Sequence, residues 1–145
     1  MKIAVLYRSM TGHSKKIANA ISKELHIEAQ NIKTKPELKK ADLVFFVGGI
    51  YSGKSLPDML DYIKTLNACA VKKAVLITSS ASDKKGQDEV RSILMSNKIE
   101  VEQKEYRCRG NFLFVKMGRP NKSEIESAVN FAKDIINQEK TKQSV

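Results

Sequence analysis

Three short stretches of the chain hold more hydroxyls, glycines and small side chains than a connecting loop needs. The first is Tyr7-Arg8-Ser9-Met10-Thr11-Gly12-His13-Ser14, where three hydroxyls surround a glycine just ahead of an amphipathic run. Ser9, Thr11 and Ser14 can donate to phosphate oxygens, Gly12 lets the backbone approach closely, and unpaired amides at a helix start add further donors. A helix start is capped by one hydroxyl, so three of them point to a bound anion. The second stretch, Gly48-Gly49-Ile50-Tyr51-Ser52-Gly53-Lys54-Ser55, satisfies the spacing G-x-x-x-x-G-K-[ST] of a nucleoside-triphosphate loop. Its position argues against that chemistry. It follows a third strand rather than an early one, Pro57 comes soon after Ser55, and the fourth strand ends in Thr78-Ser79 without a magnesium-binding Asp. An aromatic between glycines, Tyr51, instead suggests contact with a ligand. The third stretch, Ser79-Ser80-Ala81-Ser82-Asp83, offers small side chains and amides.

These loops need elements to position them. Five apolar segments alternate with amphipathic stretches, the pattern of an α/β protein with a parallel sheet and crossover helices. Strands are expected at residues 3–7, weakly at 26–32, at 42–47, at 74–78 and, fifth, at 101–108 with a possible extension over 112–115 beyond a bend at Gly110. Residues 42–47 (DLVFFV) form a near-continuous apolar run, as expected of a strand covered on both faces. Apolar residues at three- and four-residue spacing predict helices over 13–26 (Ile17, Ala18, Ile21, Leu25), from Pro57 (Met59, Leu60, Ile63, Leu66), and around Val90, Ile93 and Leu94. A last helix carries Ile125, Val129, Ala132 and Ile136, with Ser123 and Glu126 at capping-box spacing. In an open parallel sheet, ligands bind at the carboxyl ends of the strands, where all three unusual loops fall. One domain over 1–139 and a frayed tail over 140–145 account for the chain.

The 145 residues are 41% hydrophobic and 29% charged, a balance that excludes a disordered chain. The formal net charge is +10, which raises acidic partners generally. The basic residues are scattered and lack an Arg-rich arm with interleaved aromatics, which argues against nucleic acid. Cys69 and Cys108 form no metal-ligand spacing with His13 and His26, so no metal is expected, and both thiols read as small hydrophobes. No apolar run approaches the ~20 residues of a membrane span. The short apolar start does not read as a signal peptide. A cytoplasmic protein is expected.

The first loop resembles the phosphate loop of the flavodoxin family, Ser/Thr-x-Thr-Gly-x-Thr/Ser between the first strand and first helix, through Ser9, Thr11, Gly12 and Ser14. The resemblance implies a flavodoxin-like three-layer sandwich, a five-stranded parallel sheet in order 2-1-3-4-5 with helices on both faces. It also implies flavin mononucleotide (FMN) and electron transfer between redox partner proteins, with no catalytic acid or base. The phosphate would be held by Ser9, Met10, Thr11, Gly12, His13 and Ser14, with the His13 side chain solvated at the variable position. The flavin ring would lie against Gly49, Ile50, Tyr51, Ser52, Gly53 and Lys54, with Ser52-Gly53 as a peptide able to flip toward the flavin. Ser79, Ser80, Ala81 and Ser82 would face its pyrimidine edge. Two departures stand out: the third loop lacks the family's shielding tyrosine, and the chain is basic where flavodoxins are acidic. They open an enzyme alternative, similar to flavodoxin-like protoporphyrinogen oxidases or quinone reductases, and a flavin-free binding module remains a third class. The cluster Lys33, Lys35, Lys39 and Lys40 would steer an acidic partner. Cys108-Arg109-Gly110 and Gly118-Arg119-Pro120 resemble the family's closing segment without a chemical role.

Overall fold

The computed structural model describes residues 1–51, 53–80, 86–109 and 121–143. Ser52, Ala81, Ser82, Asp83, Gly110, residues 112–115 and Gly118-Arg119-Pro120 lie outside the described residues. The elements run β1 (Ile3–Arg8), α1 (His13–Leu25), β2 (Ala29–Asn31), a 3-10 turn (Ile32–Thr34), β3 (Ala41–Ile50), α2 (Pro57–Lys64), β4 (Val71–Ser80), α3 (Asp88–Ser96), β5 (Glu100–Val101), β6 (Tyr106–Arg109) and α4 (Lys122–Gln143). The sheet is parallel in order β2-β1-β3-β4-β5, and β6 pairs with β4 beyond β5. The expected order 2-1-3-4-5 is therefore present, with its fifth strand in two pieces.

The split has a simple geometry. Lys73 and Ala74 pair with Glu100 and Val101, and pairing resumes at Ile77 with Tyr106. Residues 102–105 thus stand opposite Val75 and Leu76 alone, and the two surplus residues leave the ladder as a bulge. Their consequence is to swing Glu105 inward, as described below.

Alternate residues of the central strands feed two cores. Val5, Tyr7, Leu43, Phe45, Val47, Val75 and Ile77 pack with Ile17, Ile21, Ala132 and Ile135 of α1 and α4. Leu6, Val44, Phe46, Ala74 and Leu76 pack with Met59, Ile63, Val90 and Leu94 of α2 and α3. This two-sided burial explains the unbroken apolar runs of β3 and β4.

Several boundaries differ from the sequence reading. β4 continues through Ser79 and Ser80, which are 5% exposed and pair with Gly49 and Ile50 of β3; the long β3 offers a ladder that extends β4 past its apolar run. α4 is capped by Asn121 rather than Ser123. The Asn121 side chain accepts from the Glu124 N–H at 2.9 Å, and Glu124 accepts from the Asn121 N–H at 3.0 Å. The same spacing occurs at both pairs, and the earlier one starts the helix. α4 runs to Gln143, beyond the Lys140 at which the sequence suggests a tail. Cys69 is exposed in the turn before β4, whereas Cys108 is buried; the Cys69 N–H is held by the Asn67 side chain at 2.9 Å, fixing the turn outside the core.

Candidate functional site

β1 ends at Arg8, which donates to Asp58 of α2 at 2.7 Å and to the Ser9 carbonyl at 2.7 Å, pinning the loop that follows. The chain then turns at Gly12, whose φ of +93° is a left-handed conformation that glycine adopts without strain. The Gly12 N–H donates to Ser9 Oγ at 2.9 Å, so the Ser9 hydroxyl proton stays available. Lys16 N–H closes the first turn of α1 on the Gly12 carbonyl at 3.1 Å. Thr11 Oγ1 lies 2.9 Å from His13 Nδ1. The His13 pKa is held below its ordinary value, first by burial and then by the charge of Lys16. Ser14 is fully buried at the head of α1, and its hydroxyl has no hydrogen-bond partner. The structure thus gathers Ser9, Met10, Thr11, Gly12, His13 and Ser14 into one loop around a helix start.

The second loop begins inside β3, since Gly49 and Ile50 are its last residues and are buried. Tyr51 and Lys54 form a tight two-residue hairpin, with Tyr51 N–H to Lys54 O at 2.8 Å and Lys54 N–H to Tyr51 O at 3.0 Å. Gly53 has φ +80° in that turn, which a glycine accommodates. Lys54 is exposed. Tyr51 folds back over Gly49, where an added Cβ would meet the Tyr51 hydroxyl at 2.5 Å. That hydroxyl accepts from the Met10 N–H at 3.1 Å, tying the first loop to the second. Ser55 N–H donates to Glu89 at 3.1 Å, and the buried Ser55 hydroxyl has no partner. The triphosphate-loop spacing is therefore coincidental: the amides of Tyr51, Lys54 and Ser55 are all spent within the protein, one of them on a carboxylate.

At the third loop, Ser79 and Ser80 sit at the end of β4, beside Gly49 and Ile50. Two residues that the sequence reading passed over organise this region. Gln87 is fully buried, and its amide donates to Phe46 O at 3.2 Å, Ile77 O at 3.0 Å and Thr78 Oγ1 at 3.2 Å. Its Oε1 has no partner and lies 2.7 Å from where a Cβ on Gly48 would stand, so a side chain at position 48 would push the Gln87 amide from its place. Glu105, with a side chain only 3% exposed, accepts from Thr78 Oγ1 at 2.5 Å and from Gln87 N–H at 2.9 Å. Arg91 and Arg107 flank it at 3.4 and 3.7 Å. No motif marks either residue; a carboxylate in the charged segment between β5 and β6 reads as exposed from sequence.

The lysine cluster does not form one patch. Lys33 and Lys35 follow the carboxyl end of β2, on the side of these loops, while Lys39 and Lys40 lie just ahead of β3 at the opposite end. Among the described residues no group of three His, Cys, Asp or Glu side chains could hold a metal, and no helix is long and apolar enough to cross a membrane.

This arrangement is that of a known family. A family model for the flavodoxin domain matches residues 4–137, and the chain belongs to that family. Among solved structures, the fold is similar to oxidised flavodoxin 2 from Bacillus cereus, at 16% identity and a TM-score of 0.69 over 95% of this chain and 99% of that one. A flavodoxin from the domain Archaea shares 15% identity with a TM-score of 0.69, over 95% of this chain and 98% of that one. The rubredoxin oxygen:oxidoreductase of Desulfovibrio gigas gives a TM-score of 0.73 at 16% identity over 99% of this chain, which corresponds to 37% of that larger one. No curated protein sequence matches the chain.

Proposed function

We propose that the chain binds FMN at the carboxyl ends of β1, β3 and β4 and carries electrons between redox proteins. The observation that carries this reading is the Ser14 hydroxyl, buried without a partner beside the left-handed Gly12 at the head of α1. A buried hydroxyl left unpaired costs about 1–3 kcal/mol, and a phosphate at the helix start would satisfy it. Ser9, whose proton is uncommitted, and Thr11 add hydroxyl donors, and α1 has no acidic residue in its first turn to repel an anion. Gly49, Ile50, Tyr51, Ser52, Gly53 and Lys54 would bound the ring on one side, and Ser79, Ser80, Ala81 and Ser82 on the other.

Bound flavin supplies the redox chemistry, and the chain's residues anchor, orient and tune it. Lys54 at the hairpin would favour negative charge on the reduced ring, to an extent limited by its exposure. The formal charge of +10, with Lys33 and Lys35 on the loop side, supports an acidic partner protein.

Stepwise anaerobic reduction of the FMN-reconstituted protein, followed in the visible, tests the reading. A perturbed flavin spectrum with two resolved one-electron steps is expected. A single two-electron step together with rapid turnover of a quinone or porphyrinogen would replace the carrier by an oxidoreductase. An unperturbed free-flavin spectrum would remove the cofactor.

A further inference from the structure

We propose that His13 sets the preference for a phosphorylated over an unphosphorylated flavin by fixing the direction in which the Thr11 hydroxyl donates. This rests on the flavin reading above. His13 Nδ1 and Thr11 Oγ1 are 2.9 Å apart and share one proton. A threonine hydroxyl has a single proton to give. When Nδ1 is bare, that proton points at the ring and is withdrawn from any anion in the loop. When Nδ1 carries a proton, the hydroxyl accepts from the ring and its own proton is free for a phosphate oxygen. Protonation of the imidazole forces the second arrangement and adds a positive charge beside the phosphate, where a charge-assisted contact is stronger than a neutral one.

A bound anion would bias this choice. Burial and the charge of Lys16 disfavour the protonated ring, and the charge of a bound phosphate would act against both. Of the other charged groups near the loop among the described residues, Lys15 lies on the same helix, Arg8 is already engaged by Asp58 at 2.7 Å, and Lys54 is exposed on the hairpin. The Tyr51 hydroxyl is engaged by the Met10 amide. By reciprocity, phosphate binding must draw a proton onto His13 as strongly as that proton favours phosphate.

The test measures dissociation constants for FMN and for riboflavin, which lacks the phosphate, at pH 5.5, 6.5 and 8. It compares the wild type, His13→Asn, Thr11→Val and the double variant. The phosphate itself titrates near pH 6, and the comparison with His13→Asn removes that common contribution. His13→Asn is expected to reduce the FMN-over-riboflavin preference by about tenfold at pH 5.5 and about twofold at pH 8, with an unchanged melting temperature. In the Thr11→Val background the same substitution should cost markedly less. Calorimetry in buffers of different ionisation enthalpy should show greater proton uptake on FMN binding for the wild type than for His13→Asn at pH 6.5. Equal preference in wild type and His13→Asn at every pH, or a loss that is the same at pH 5.5 and 8, overturns the assignment. Absence of FMN binding by the wild type overturns it together with the flavin reading.

Discussion

The two ends of the parallel sheet both bury polar groups, and they differ in whether those groups are completed. At the amino end of β4, Lys73, with a side chain 8% exposed, lies 2.5 Å from Glu139, 3.2 Å from Glu100 and 3.6 Å from Glu102. Burial alone would lower its pKa, yet the hydrogen bonds and charges of Glu139 and Glu100 carry it above its ordinary value. At the carboxyl end, Ser14 Oγ, Ser55 Oγ, Asp58 Oδ1 and Gln87 Oε1 are buried without partners, and among the described residues one further such atom, Ser22 Oγ, lies in the last turn of α1 toward the other end. Native interiors pair nearly all such groups, so four of them at the carboxyl end agree with the binding site proposed there. Completed polar burial holds the fold, and the uncompleted groups at the carboxyl end are the ones the proposed cofactor would complete. Glu105 shows that the division is finer than end against end, because it completes Thr78 and Gln87 within the carboxyl end itself.

The largest expected effect follows from breaking the completed end. Lys73→Met leaves three carboxylates facing one another and should cost about 3 kcal/mol at pH 7, seen as a lower urea midpoint, with FMN affinity unchanged. The sign with pH is fixed by Glu102. Burial would raise its pKa, but the Lys104 N–H and the charge of Lys73 hold it below its ordinary value. A depressed carboxylate adds stability above its ordinary pKa and loses it as pH falls through its folded value. The deficit of Lys73→Met should therefore be greatest near neutrality and shrink below about pH 4. An equal deficit at pH 3 and pH 7 would mean that Lys73 acts through packing of its stem. Glu105→Ala comes next, at about 2 kcal/mol, because it strips partners from the Thr78 hydroxyl and the Gln87 amide. Hydrogen exchange at Gln87 should report the loss directly.

Legibility in the sequence divides along the same line. The alternation of elements and the apolar runs of β3 and β4 are visible because both faces of the sheet are covered, which leaves only one pattern for those strands. The Ser9-to-Ser14 loop is visible because its contacts are local and its spacing is short. Lys73 follows Lys72 at the start of a strand and reads as solvated; only Glu139, 66 positions away at the far end of α4, shows it to be buried. Glu105 depends on a two-residue register surplus that no composition reveals. Tyr51 is evident as an aromatic between glycines, but its direction is a matter of rotamer, settled by the room above Gly49 and the Met10 amide.

Ser14→Ala separates the two kinds of burial at a single atom. Removing the orphan hydroxyl should leave apoprotein stability unchanged or raise it by up to about 1 kcal/mol, since no internal bond is lost. FMN affinity should fall about tenfold, the worth of one hydrogen bond to a charged group, while riboflavin affinity stays level. Loss of stability without loss of affinity would show that the hydroxyl has a structural partner and belongs with the completed groups.

Tyr51→Phe is the smallest and finest of these tests. It keeps the ring over Gly49 and deletes the acceptor that the Met10 N–H meets at 3.1 Å. Met10 is exposed, so its amide turns to water and the apoprotein should lose no more than about 0.5 kcal/mol. The tyrosine hydroxyl and a phosphate compete for that one amide proton. Its removal should tighten FMN by up to about threefold, leaving riboflavin unaffected. Weaker FMN binding would reverse the assignment of this contact: the hydroxyl would then be holding the first loop in its binding shape, and Tyr51 would join Glu105 among the completed groups inside the carboxyl end.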